Sequence, residues 1–164
     1  MIAGKWRLAM GSLALLAIGV PIAARSQDRE PVSRSLSVAA DAMRWQRQTP
    51  NLPIMIGELW GNRQADGGFG ELVRLPPGFD SRLHAHSGDF HGVLVKGVWI
   101  HEGPGGEGRD KRLLPGSYVR QAGGEMHIDR CVSEEPCVLF LFQYARADII
   151  WPDGDGRAAE RSAP

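Results

Sequence analysis

Gly78–Gly97, GFDSRLHAHSGDFHGVLVKG, holds three of the chain's five histidines. His84 and His86 are two apart, and side chains two apart on a strand share a face. Ser87-Gly88-Asp89-Phe90 is a turn-forming run. His91 follows it and opens an alternation with Val93 and Val95. A hairpin about that turn brings His91 back opposite the first pair, and three imidazoles converging on one point are expected to be a metal site. His127 follows a second glycine-bracketed strand pair, so four of the five histidines fall in two places.

Outward from this stretch the pattern is short strands. Residues 54–60, 69–75, 80–86, 90–96, 98–101, 117–121, 126–131 and 137–144 alternate or run apolar between Gly, Pro, Asn and Asp clusters. Residues 137–144 are continuous and apolar, which predicts a central, doubly covered strand, and 148–151 closes the sheet. Residues 35–48 read as a strand followed by a short turn of helix. About ten strands with no long helix predict an all-β sandwich or barrel over 35–151.

The ends read differently. Lys5 and Arg7 precede an apolar run over 8–20, then Pro21 and the small-residue stretch Ala23-Ala24-Arg25-Ser26. That is the pattern of a secretory signal peptide, residues 1–26, cut after Ser26. The other reading is a retained anchor, but the run of about 13 residues is short of the roughly 20 that span a bilayer. No stable membrane anchor is therefore expected after cleavage, and the destination is periplasmic or secreted. Residues 27–34 read as a polar N-terminal tail and 152–164 as a disordered C-terminal tail. The formal net charge of +0 argues against a nucleic-acid partner. Losing the signal removes three basic residues and no acidic one, leaving a mildly acidic mature protein. Cys131 and Cys137, six apart in the exported part, suit a disulfide across a loop; the alternative is Cys131 as a metal ligand.

The layout resembles the cupin superfamily. That family's first motif is glycine, five residues, His-x-His, three or four residues, glutamate, six residues and glycine; here Gly78, His84-Ala85-His86, His91 and Gly97 follow it. The second is glycine, five residues, Pro-x-Gly, two residues, histidine, three residues and asparagine; here Gly116, Ala122-Gly123-Gly124, His127 and Cys131 follow it. His91 stands for the usual glutamate, Ala122 for proline and Cys131 for asparagine. The run PGSYVRQAGGEMH is similar to small cupins whose reaction is unassigned. The resemblance implies a single-domain jelly-roll β-barrel, a metal held by His84, His86, His91 and His127, and a homodimer.

Four neutral imidazoles leave a divalent ion's charge uncompensated and make it a strong Lewis acid. They suit Fe, Mn, Cu, Ni or Zn rather than Ca or Mg. Asp89 would replace His91 as the fourth ligand if the turn is rearranged. Arg82 shares a face with His84 and either holds a substrate carboxylate or hydroxyl or is an exposed strand-start arginine. Glu125 and Asp129 share parity with His127 and are candidates for base or supporting partner, against the simpler reading of solvated carboxylates. Tyr118 and Gln143 are possible pocket residues. Trp60, Trp99, Phe140 and Phe142 read as core or pocket wall, and His101 as a surface residue. The functional expectation is a metalloenzyme of dioxygenase type acting on a small-molecule substrate, with Arg82 and Glu125 as the catalytic candidates. The alternatives are a metal-dependent isomerase or lyase, or a non-catalytic periplasmic module that binds a metal or small ligand.

Overall fold

The computed structural model describes residues 35–152. The signal segment, the tail over 27–34 and nearly all of the C-terminal tail lie outside them. The chain divides into two units after Ser37. Ser35–Ser37, the described end of the first, are exposed, and every described strand belongs to the second. Among the described residues no helix is long and apolar enough to cross a membrane.

Eight strands are described: β1 (Gln46–Arg47), β2 (Met55–Gly61), β3 (Phe69–Leu75), β4 (Phe90–Lys96), β5 (Trp99–Glu102), β6 (Tyr118–Gln121), β7 (Ile128–Cys131) and β8 (Cys137–Gln143). They form an antiparallel six-stranded sheet in the order β1-β2-β3-β8-β4-β6 and a two-stranded sheet β5-β7. The all-β expectation stands. Closure into a barrel is not seen, because beyond the two sheets there are only isolated bridges among the described residues: Trp99 to Leu113, Asp80 to Arg130, His84 to His127 and Ala85 to Ile150. The expected strand over 80–86 is reduced to those bridges. The order expected over 35–48 is reversed, a 3-10 turn at Ala40–Ala42 preceding the two-residue β1.

The apolar run of β8 does place it centrally, between β3 and β4. Its inward residues Leu139 and Leu141 stand opposite Val73 and Glu71 on one side and Leu94 and Gly92 on the other. The core lies toward one end of the two sheets: Ile54, Ile56, Val73, Leu75, Leu94, Trp99, Leu113 and Leu139 are buried around Cys131 and Cys137. Burial of each large aliphatic side chain stabilises by about 1.5–3 kcal/mol. The two cysteines are joined by a disulfide. Gly97 has φ 91°, and a Cβ there would lie 2.9 Å from Cys137 Sγ, so the turn from β4 to β5 beside the disulfide requires glycine. The inner surface thus has an apolar end closed by the disulfide and a polar end where the histidines gather.

Candidate metal centre

Backbone pairing brings His84 and His127 together. His84 N–H donates to His127 O at 3.0 Å, and His127 N–H to His84 O at 2.7 Å. His86 falls on the same side two residues on, and the three ring centroids are 4.3, 5.0 and 5.3 Å apart. One nitrogen of each ring lies within 4.8 Å of the other two.

Each of these rings gives Nδ1 to a backbone carbonyl: His84 to Arg82 O at 3.0 Å, His127 to Glu125 O at 3.3 Å, and His86 to Asp148 O. A carbonyl only accepts, so the proton sits on Nδ1 and Nε2 is left as a lone pair. The Arg82 carbonyl is aimed by an unusual turn. Arg82 is the one non-glycine described residue with positive φ, 64°, and Asp80 Oδ1 accepts its N–H at 3.0 Å. Ser81 ties the turn to β7, its N–H donating to Asp129 O at 2.9 Å and its Oγ accepting from Asp129 N–H at 2.8 Å.

Asp129 Oδ2 faces the same gap, 3.4 Å from His127 Nε2 and 4.0 Å from His84 Nε2. The 3.4 Å approach is in ion-pair range but is not a hydrogen bond, so His127 Nε2 is buried with no hydrogen-bond partner. Lone pairs on two imidazoles and a carboxylate oxygen therefore face one another with no proton between them. That arrangement is repulsive when empty and becomes a ligand set around a cation. A transition-metal ion takes nitrogens at about 2.0–2.1 Å and carboxylate oxygens at about 2.0–2.2 Å, so small ring adjustments suffice. The residues fit a metal.

Asp129 is anchored from behind. Its Oδ1 accepts from Trp99 Nε1 at 2.9 Å and from His101 Nδ1 at 2.9 Å. His101 Nε2 meets Gln121 Oε1 at 2.8 Å, and the Gln121 amide nitrogen donates to Ala122 O at 3.2 Å and Glu125 O at 2.9 Å. Those two carbonyls fix the Gln121 oxygen toward His101, so His101 donates at both nitrogens. Burial works against that charge, but the hydrogen bond to Asp129, its negative charge and the Gln121 bond prevail, and the His101 pKa is raised. Burial also opposes ionisation of Asp129, yet the hydrogen bond from His101 and the imidazoles around it hold its carboxyl well below the usual range. His86 is pushed down by burial. His84 is pushed down to about 4 by burial, against the pull of Asp129.

A pH dependence results for the metal-free protein. His84 binds its proton less well folded than unfolded, so its contribution is fully present above the ordinary histidine pKa. It is lost as pH falls from about 6.5 to about 4, and amounts to about 3 kcal/mol. His86 acts in the same direction. His101 has the opposite sign, its contribution being present at low pH and lost as pH rises through its raised pKa. Urea unfolding of chelator-treated protein is expected to show stability falling steeply between pH 6.5 and 4; a flat profile there contradicts the burial of His84 and His86.

The structure separates the residues that the sequence groups. His91 leaves the cluster. On β4, Phe90, Gly92 and Leu94 are buried while His91 and Val93 alternate with them on the other face. His91 Nδ1 lies 2.8 Å from Tyr118 Oη, its ring stacks on Tyr118, and Phe142 is beside it. The inward residue is Phe90, its ring 5.5 Å from His86 and 5.7 Å from His127. Counting three residues after His-x-His, the shorter spacing of the cupin motif, places Phe90 at the glutamate position with six residues to Gly97. Asp89 is turned to Gly123 N–H and Arg120. The Glu125 side chain is exposed and only its carbonyl supports the site. The Arg82 guanidinium lies 5.3 Å over the Trp151 ring, and its carbonyl is what orients His84. Cys131 is in the disulfide and is not a ligand. Gln143 is buried and lines the cavity beside the histidines, whereas Tyr118 is on the outer face.

Sequence reasoning undervalues Asp129 and His101. The available signal is parity: Asp129 is two from His127, and His101 is two from the core residue Trp99.

His84, His86, Phe90, Trp99 and Asp129 line a cavity of about 90 Å³, several times what one water needs. Ala147, Asp148 and Ile149 form part of its wall. This segment is held by Ala147 N–H to Arg63 O and by paired bonds between Ala85 and Ile150.

A family model described as a domain of unknown function, DUF4437, matches residues 18–148. No curated protein matches the chain significantly. Among solved structures the chain is similar to KdgF from Halomonas sp. at 22% identity, covering 70% of this chain and 98% of that one, with a TM-score of 0.54. It is similar to an RmlC-like cupin from Ralstonia eutropha JMP134 at 16% identity, covering 76% and 78%, with a TM-score of 0.58. It is also similar to the DMSP lyase DddQ from Ruegeria pomeroyi DSS-3 at 16% identity, covering 71% and 64%, with a TM-score of 0.57. These likenesses show the cupin fold.

Proposed function

The chain belongs to the DUF4437 family of cupin-type domains, and from that premise we propose a metal-dependent enzyme acting on a small molecule. His84, His86 and His127 hold a divalent first-row transition metal, with Asp129 Oδ2 as the anionic group beside it. One observation carries this reading: His84 Nε2, His127 Nε2 and Asp129 Oδ2 face a single buried gap, and His127 Nε2 has no hydrogen-bond partner there. When bound, the ion supplies Lewis acidity toward a coordinated oxygen of the substrate.

The chain's own residues supply the rest. Trp99 and His101 fix Asp129 Oδ1, which holds Oδ2 toward the gap, where its charge would offset part of the ion's. The imidazolium at His101 offsets the charge of Asp129. Phe90, Val73 and Leu141 give the cavity apolar walls that limit water. An anionic oxygen beside the imidazoles suits Lewis-acid chemistry on a coordinated substrate oxygen, of isomerase or lyase type. The dioxygenase reading, first in order from the sequence, keeps one support: a mainly imidazole donor set suits iron, manganese or copper as well as zinc or nickel.

Elemental analysis of the purified protein, with oxygen uptake and deuterium exchange into carbonyl substrates, tests the proposal. The expected result is about one equivalent of metal, solvent exchange and no oxygen uptake. Oxygen uptake would establish the dioxygenase reading instead. Metal without turnover leaves a binding module, and a folded protein that takes up no metal sinks the enzyme reading.

We also infer export. The basic start, the apolar run over 8–20 and the small residues after Pro21 support it, and the Cys131–Cys137 disulfide suits an oxidising compartment. The mature amino terminus is expected at Gln27; protein recovered from the cytoplasm with Met1 intact would contradict it.

A further inference from the structure

The cavity at the histidines has a second polar wall. Glu71 on β3 and Gln143 on β8 face inward from the six-stranded sheet, with Gln48 and Arg63 beside them, and all four line the cavity that His84 and His86 enter from the other side. Glu71 is 4% and Gln143 6% exposed. A leucine at either position would extend the neighbouring apolar rows without a desolvation cost, so these polar groups call for an explanation.

Their hydrogen bonds leave both acceptors and donors on the wall, because among the described residues only Nε of the Arg63 guanidinium is engaged. Arg63 Nε donates to Glu71 Oε2 at 2.9 Å, and Gln143 Nε2 donates to Ala145 O at 2.8 Å. Gln48 Oε1 is buried with no hydrogen-bond partner. Among the described residues no donor reaches the second Glu71 oxygen or Gln143 Oε1. Burial pushes the Glu71 carboxyl up, against the pull of Arg63. The ion pair leaves this wall close to neutral, with acceptor oxygens and the remaining Arg63 N–H groups on a small, mostly apolar space.

We propose that this wall is the distal subsite of the substrate pocket, and that the substrate is a short hydroxylated molecule. One end binds at the metal centre, and a neutral hydroxyl at the other donates its one proton to Gln143 Oε1, with Glu71 and Gln48 beside it. The inference rests on the metal-dependent reading above. A methyl group at that end leaves the acceptors unpaired. A second carboxylate brings a negative charge that Arg63, already neutralised by Glu71, does not fully offset, and it leaves the acceptor oxygens without a donor.

The test uses the purified full chain loaded with cobalt(II), whose absorption reports ligands reaching the metal. The probes are straight-chain carboxylates of three to six carbons ending in a methyl, a hydroxyl or a second carboxylate. The expected result is that at some chain length the hydroxy acid binds about ten-fold more tightly than the methyl analogue, with the diacid weakest. Gln143→Leu is expected to bring the hydroxyl-to-methyl ratio to about one while cobalt uptake is unchanged. Should that variant fail to fold, the wild-type ranking decides alone. Cobalt uptake with equal affinities, with no probe binding or with preference for the diacid overturns the subsite. Failure to take up cobalt overturns the metal-dependent reading itself, and with it the anchor for the first carboxylate.

Discussion

His127→Ala is expected to lower metal affinity by more than about 100-fold, a larger effect than the 10- to 100-fold typical of residues that only support a ligand. The reason is the position of Nε2. It is fully buried, has no hydrogen-bond partner and faces Asp129 Oδ2 at 3.4 Å, so its only productive use is toward a cation. The stability readout differs between metal-free and metal-loaded protein. Without metal, wild type carries the cost of that unpaired nitrogen, about 1–3 kcal/mol. Truncating a buried side chain costs about 2–5 kcal/mol, and the two partly offset. With metal at a thousand times the wild-type dissociation constant, wild type gains about 4 kcal/mol and a variant weakened about 100-fold gains about 1.4 kcal/mol or less. Thermal unfolding with added zinc or with chelator gives both numbers. His91→Ala is the control, since its ring is on the outer face against Tyr118 and Phe142; metal content is expected to be unchanged. Equal metal loss in the two variants would mean that β4 presents its other face to the site.

Trp99→Ala is expected to cost about 3–5 kcal/mol, a large share of the 5–15 kcal/mol typical of a whole domain. Trp99 is 1% exposed, among the largest of the fully buried side chains, and it links the two halves of the interior. Its ring belongs to the apolar core with Leu94, Leu113 and Leu139, while its Nε1 donates to Asp129 Oδ1 at 2.9 Å. Trp99→Phe separates these roles. It keeps most of the apolar volume and removes the indole donor, so it is expected to cost about 1–3 kcal/mol and to weaken metal binding through a less firmly held Asp129. Urea midpoints and metal titrations of both variants check this. Trp99→Phe with wild-type metal affinity would show that His101 alone positions Asp129.

Where the sequence misleads, it does so at choices of face. From His84 to His91 there is a turn, and a turn resets strand parity. The alternation His91-Val93-Val95 looks apolar and inward, but Phe90-Gly92-Leu94 is the buried set. Nothing in the alternation ranks a row containing glycine above a row of valines. The contacts that rank them come from β8, remote in sequence, and from Trp99 on the strand that follows. Asp129 is undervalued for a related reason. A lone carboxylate reads as solvated until a buried tryptophan and histidine are found donating to the same oxygen.

The all-β class, the central position of 137–144 and the shared side of His84 and His86 were all legible in the chain alone. Each is a local property of chain chemistry: turn residues at fixed intervals, an apolar run too long for an edge strand, and a separation of two. The spacing of the glycines and histidines also pointed to the cupin superfamily. Three features emerge only on folding: Phe90 rather than His91 faces the histidines, Asp129 Oδ2 stands beside them, and Glu71 and Gln143 line the same cavity. These depend on which faces of separate strands meet. That is settled by long-range burial and by pairing donors with acceptors across the fold, which no window of sequence contains.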